Sequence, residues 1–146
     1  MRAAAPYIDT SALAKWYLNE PRSEDFEAFI AGFASATISR LVVIEFRCLL
    51  ARRRRAGDIG RRIERRIVES FERDIAQGFL EVHPLEDRHA LGALEILSSL
   101  ERHQLRTLDA LHLAAAGEIG ATVIATADRV MAAAAKALGL SVERFD

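Results

Sequence analysis

Four acidic side chains stand where a soluble fold does not ordinarily place a charge. Asp9 closes the short apolar run Pro6-Tyr7-Ile8. Glu45 lies inside Leu41-Val42-Val43-Ile44-Glu45-Phe46. Asp109 opens the apolar stretch that runs to Ala116, and Asp128 follows Val123-Ile124-Ala125-Thr126. Two carboxylates ~5 Å apart repel by about 3 kcal/mol at an effective dielectric near 20. Four acids brought to one place would therefore need a cation. All-carboxylate oxygen ligation suits hard ions such as Mg²⁺ or Mn²⁺. Such ions lower the pKa of a bound water and stabilise charge on a phosphoryl group. One cysteine, Cys48, and four histidines supply neither a thiolate cluster nor a His-rich metal site.

Each acid also has a plainer use. Asp9 and Asp128 could be helix N-caps, and Asp109 a first-turn acid favoured by the helix dipole. Glu45 is harder to explain, because a buried acid is costly unless paired. Arg40 or Arg47 would be its mate on that reading. His112, three residues after Asp109, reads as a core histidine on so apolar a helix; facing the same cleft is the alternative. Trp16, Tyr17 and Phe46 read as core or dimer-interface residues.

The elements that must position these groups alternate between strand and helix. Residues 3–9 form a first strand ending in Asp9, and Thr10 or Ser11 caps the helix over 11–19. Ser23 caps a second helix to about Ala31. A small-residue strand over 34–38 leads to a long helix capped by Ser39 and ending at Arg52–Arg55. Beyond Gly57 and Gly60, Ile59, Ile63, Ile67, Phe71 and Ile75 recur at helical spacing. They predict an amphipathic arm antiparallel to the preceding helix. Strands over 79–85, 121–126 and 140–143 and helices over 86–100, 107–116 and 129–138 complete the pattern. Such alternation predicts an α/β fold, a three-layer α/β/α sandwich around a mainly parallel sheet of four to five strands. In that architecture the strand ends and the following helix starts converge on one edge, where ligands bind.

Length and composition bound the rest. The chain of 146 residues is 51% hydrophobic and 28% charged, which fits one folded domain over 1–146 and excludes a disordered chain. No apolar run approaches the ~20 residues that span a bilayer. The apolar start is too short for a signal peptide, and a lone thiol calls for no oxidising compartment. A cytoplasmic protein is expected. Between Arg40 and Asp74, eleven arginines face six acids, a local excess of five positive charges on a chain of net charge -1. Those arginines either solvate helices or attract a polyanion.

The blocks YIDTSALAKWYLNE, SRLVVIEFRCLLARR, LRTLDALHLAAA and VIATADRVMAAAAKALGL occur in that order and cover nearly the whole chain. Together they resemble the four acidic blocks of PIN-domain nucleases. A free-standing chain of this length most resembles the VapC-type toxins of toxin–antitoxin pairs. The resemblance implies metal-binding, catalytic acids at Asp9, Glu45, Asp109 and Asp128, with supporting hydroxyls at Ser11 and Thr126. It implies an endoribonuclease dependent on Mg²⁺ or Mn²⁺, a homodimer, and a small antitoxin that blocks the site. Given a phosphate-cutting site, Arg52, Arg53, Arg54 and Arg55 become a possible RNA-binding surface.

Three other readings compete. A haloacid-dehalogenase-like phosphatase would carry a second Asp two residues after the first, where this chain has Ser11. A receiver domain would need a lysine after a late strand, whereas Lys15 and Lys136 fall on predicted helices. A catalytically inactive domain that binds RNA or protein differs from the nuclease only in activity.

Overall fold

A computed structural model describes residues 4–146. The first strand, β1, spans Tyr7–Ile8, and the expected start at residue 3 lies outside the described residues. Helices α1 (Thr10–Tyr17) and α2 (Ser23–Ile30) lead to β2 (Ala36–Ser39), and α3 (Arg40–Arg55) and α4 (Arg61–Ala76) lead to β3 (Leu80–His83). Helices α5 (Asp87–Ser99) and α6 (Thr107–Ile119) precede β4 (Val123–Thr126). Helix α7 (Arg129–Ala137) and strand β5 (Ser141–Arg144) close the chain.

The five strands form one parallel sheet in the order β3-β2-β1-β4-β5. From β1 the chain steps outward to β2 and β3, then returns across the sheet to β4 on the other side of β1. Right-handed crossovers then put α1–α4 on one face and α5–α7 on the other, which is the expected three-layer sandwich. The order reverses between β1 and β4. Their carboxyl ends therefore flank the crevice where open α/β sheets bind ligands.

The core fills both faces. Tyr7, Ile8, Phe26, Ile38, Phe46, Leu50, Phe71, Leu80, Leu113, Ile124 and Met131 are buried. Each such side chain contributes roughly 1.5–3 kcal/mol by leaving water. Phe46 and Phe71 stack edge to face at 5.0 Å and lock the α3–α4 arm together, as the isoleucine spacing predicts. Tyr17 ties α1 to α4 by donating its hydroxyl to Asp74, and burial pushes its own pKa up. On the opposite face, Gly92 of α5 lies where an added Cβ would meet the Ala114 methyl at 3.4 Å, so these helices pack closely.

Local capping departs from expectation at three helices. Neither Thr10 nor Ser11 caps α1: Asp9 is the N-cap, and its Oδ1 accepts from the Ala12 amide at 3.0 Å. Ser39 holds the N-cap position of α3, but its hydroxyl turns to Tyr7 instead of the helix. Arg22 rather than Ser23 precedes α2, in a left-handed conformation (φ 73°). Its guanidinium reaches the carbonyls of Arg144 and Asp146, a tertiary tie that offsets the local strain. Among the described residues no helix is long and apolar enough to cross a membrane.

Candidate active site

Asp9 leaves β1 still paired to the sheet, its amide donating to the Ala125 carbonyl at 3.1 Å. The side chain is buried, at 3% exposure. Three donors serve its carboxylate. Ser11 Oγ (2.7 Å) and the Ala12 amide (3.0 Å) reach Oδ1, and Thr126 Oγ1 (2.5 Å) reaches Oδ2. Burial, the dominant influence, still pushes the Asp9 carboxyl above the ordinary range, and His112 and the three hydrogen bonds pull it back only in part.

Thr126 is the last residue of β4 and serves both sides of the crevice. While donating to Asp9, its hydroxyl accepts the Asp128 amide at 3.0 Å. Ser11 adds a second stitch by accepting the Ala127 amide at 2.8 Å. Asp128 caps α7 by accepting the Met131 amide at 3.0 Å. The dipeptide Ala127-Asp128 after β4 is thus bound to the segment after β1 through two hydroxyls.

Glu45 approaches from the second turn of α3. Neither Arg40 nor Arg47 is its mate. Thr10 donates to Oε1 at 2.9 Å, and His112 Nε2 lies 2.5 Å from the same oxygen. Arg47 instead points outward to Glu72. The reason is helical phase. Arg40 and Arg47 are both exposed, whereas Glu45 shares its face of α3 with the buried Leu41 and Val42. Burial, the largest single influence, raises the Glu45 carboxyl, but the His112 contact, the Thr10 hydrogen bond and the Arg52 charge together outweigh it, and the group lies below the ordinary glutamate range.

The remaining contacts run through α6. His112 is buried, and its Nδ1 lies 2.8 Å from the Tyr7 hydroxyl, which also meets Ser39 Oγ at 2.9 Å. Asp109, one turn earlier, is half-buried and accepts the Arg106 amide at 3.0 Å. Among the described residues its carboxylate makes no hydrogen bond to the groups that hold the other three acids. Thr126 thus links Asp9 to the Asp128 amide, Thr10, the residue after Asp9, holds Glu45, and Asp109 bonds the amide at its own helix start. Among the described residues, no three His, Cys, Asp or Glu side chains converge as a metal cage would.

The sequence alone assigns His112 to the core and gives Tyr7 no role in the site. Both had a signal. Tyr7 lies two residues before Asp9, on the same face of β1, and His112 lies three after Asp109, on the same face of α6. The arginine cluster divides. Arg53 pairs with Glu20 (3.2 Å) and Asp58 (3.8 Å), and Arg54 with Glu64 (3.1 Å). Arg52 and Arg55 are exposed and make no ion pair among the described residues.

The family pattern for the PIN domain matches residues 7–137, from the first strand through the helix after Asp128. The chain belongs to the PIN-domain family. Over 142 residues this PIN domain is 32% identical to ribonuclease VapC46 of Mycobacterium tuberculosis, covering 95% of the chain and 96% of that relative. Two solved structures share the fold. The sarcin-ricin-loop-cleaving toxin VapC20 of Mycobacterium tuberculosis superposes with a TM-score of 0.71 at 20% identity, covering 89% of this chain and 95% of the other. VapBC2 of Rickettsia felis, bound to a promoter DNA fragment, superposes at 0.68 and 15% identity, covering 98% and 100%.

The PIN domain's donor set fits a hard cation in its chemistry. Asp9, Asp109 and Asp128 pair with no Lys or Arg among the described residues, and every candidate ligand is a carboxylate oxygen. Asp9 is also the acid most in need of positive charge, being buried and resistant to ionisation. The side chains as they stand are turned to caps and hydroxyls rather than toward one point.

Proposed function

We propose that this PIN domain is a divalent-metal-dependent endoribonuclease and the toxin of a toxin–antitoxin pair. The observation that carries the proposal is the hydroxyl-stitched junction of Asp9, Thr126 and Asp128 at the switch point between β1 and β4, with Glu45 tied to it through Thr10. The 32% identity to a ribonuclease along nearly the whole chain supports the substrate class. Structural relatives solved as toxin–antitoxin complexes support a small protein antitoxin as partner. With this reading go a cytoplasmic location and a homodimer, the latter checked by light scattering.

Asp9, Glu45, Asp109 and Asp128 are the residues that would hold Mg²⁺ or Mn²⁺. Bound there, such an ion supplies a water of lowered pKa and positive charge beside the scissile phosphate. Asp9 would be the central ligand, because a strand end held by three hydrogen bonds is the most rigid mount in the site. Glu45 stays ionised below the ordinary glutamate range and can accept a hydrogen bond from the attacking water. In the reaction, water oxygen bonds to phosphorus, the bond from phosphorus to the ribose 3′ oxygen breaks, and a 5′-phosphate and a 3′-hydroxyl result. Arg52 and Arg55 are the arginines of the cluster left to meet RNA phosphates.

The test is cleavage of RNA by the purified chain with Mg²⁺ or Mn²⁺ and with EDTA. Cleavage should require the ion and vanish in Asp9→Asn and Asp128→Asn while both variants stay folded. Full activity in either variant would sink the site assignment. RNA binding without cleavage in any divalent ion would replace the nuclease by an inactive binding domain.

A further inference from the structure

We propose that His112 and Tyr7 are positioning residues that hold the Glu45 carboxylate in the site from beneath. This rests on the reading that Glu45 is one of the ion-binding acids. Glu45 is the one acid of the four on a helix flank with neither a strand end nor a cap to fix it. A glutamate has three rotatable bonds, so an unsupported carboxylate would sample several positions. Two contacts on the same oxygen, Oε1, remove that freedom: Thr10 Oγ1 at 2.9 Å and His112 Nε2 at 2.5 Å.

His112 is itself fixed. It is 3% exposed, its ring stands edge-on to Tyr7 at 6.0 Å between centroids, and its Nδ1 lies 2.8 Å from the Tyr7 hydroxyl. That hydroxyl is 2.9 Å from Ser39 Oγ. An ionised Glu45 only accepts, so Nε2 carries the hydrogen of that contact. Nδ1 meets the Tyr7 hydroxyl, and that hydroxyl meets Ser39 Oγ. The chain Ser39–Tyr7–His112–Glu45 thus runs without a gap from the end of β2 through β1 and α6 to α3. It joins four separate elements, and among the described residues Glu45 Oε2 makes no hydrogen bond to protein. An orienting partner behind a metal-binding group is the general means of fixing its direction and basicity.

The arrangement is tested by direct Mn²⁺ binding and by the Mn²⁺ concentration for half-maximal RNA cleavage. The variants are His112→Ala, His112→Gln, Tyr7→Phe and Glu45→Gln. Loss of the orienting partner should weaken Mn²⁺ binding and raise half-saturation by roughly ten-fold in His112→Ala. His112→Gln restores a donor toward Glu45 and should recover most of that loss. Tyr7→Phe keeps the ring and breaks the relay, so it should fall between. A purely structural role would lower the melting temperature of these variants and leave Mn²⁺ affinity of the folded protein unchanged. That result, with Glu45→Gln weakened, overturns the proposal and spares the reading beneath it. Unchanged Mn²⁺ binding in Glu45→Gln overturns the reading of Glu45 as a ligand, and the proposal with it. Where His112→Ala does not fold, the near-isosteric His112→Gln and Tyr7→Phe decide by the same two measurements.

Discussion

Thr126 donates its hydroxyl to Oδ2 of Asp9 at 2.5 Å, joining residues 117 positions apart across the point where the sheet order reverses. Thr126→Val keeps the shape and removes the donor, leaving a buried carboxylate oxygen without it. It also removes the acceptor of the Asp128 amide. An unsatisfied buried group costs about 1–3 kcal/mol, more where it is charged. We expect a loss of that size in urea unfolding, together with a loss of cleavage. Thr126→Ser should recover most of both. A valine variant as stable and active as the parent would show that the bridge holds nothing.

Asp9→Asn should lose cleavage and gain stability, increasingly so as pH rises. In the unfolded chain an aspartate ionises near pH ~3.9, whereas burial keeps Asp9 protonated to higher pH in the folded chain. Between those two values the folded state binds more protons, so parent stability falls with rising pH and stays reduced above the window. Asparagine carries no charge and escapes that loss. Urea unfolding in EDTA at pH 4 and pH 8 should find the variant's advantage larger at pH 8. An advantage that shrinks with pH contradicts the burial argument.

The sequence made the sheet legible because buried parallel strands carry unbroken apolar runs. Val123–Thr126 is such a run, whereas Ala36–Ser39 is marked only by small and β-branched residues, and their registers with β5 and β3 come from the sheet itself. The acids stood out for the same reason, being charges at the ends of apolar segments or, at Glu45, inside one. Side-chain partners did not, since a partner is set by helical phase and by contacts far along the chain. Glu45 reads as a mate for Arg40 or Arg47 by nearness in sequence, yet it meets His112, 67 positions away. Capping failed for a related reason. Asp9, Thr10 and Ser11 all suit an N-cap, and only the tertiary pull of Glu45 on Thr10 and of Ala127 on Ser11 leaves the role to Asp9.

Divalent ions should stabilise the fold through the same acids. At an ion concentration 100 times the dissociation constant, the gain is about 2.7 kcal/mol. Thermal unfolding with Mn²⁺ or Mg²⁺ against EDTA should display the shift, and Asp9→Asn should abolish it. Equal shifts in parent and variant would place ion binding elsewhere on the molecule.

The arginine cluster should act unequally on RNA. Arg53 and Arg54 are occupied by Glu20, Asp58 and Glu64, whereas Arg52 and Arg55 are exposed and make no ion pair among the described residues. Each phosphate contact on single-stranded RNA contributes about 0.7 to the slope of log affinity against log salt. Replacing Arg52 and Arg55 together by Ser should therefore flatten that slope by about 1.4 for two contacts. Replacing Arg53 and Arg54 breaks surface ion pairs worth about 0–1 kcal/mol each and should alter stability slightly and the slope little. Binding titrations from low to moderate salt separate the two pairs. An equal effect of both pairs, or of neither, would remove the distinction drawn from their partners.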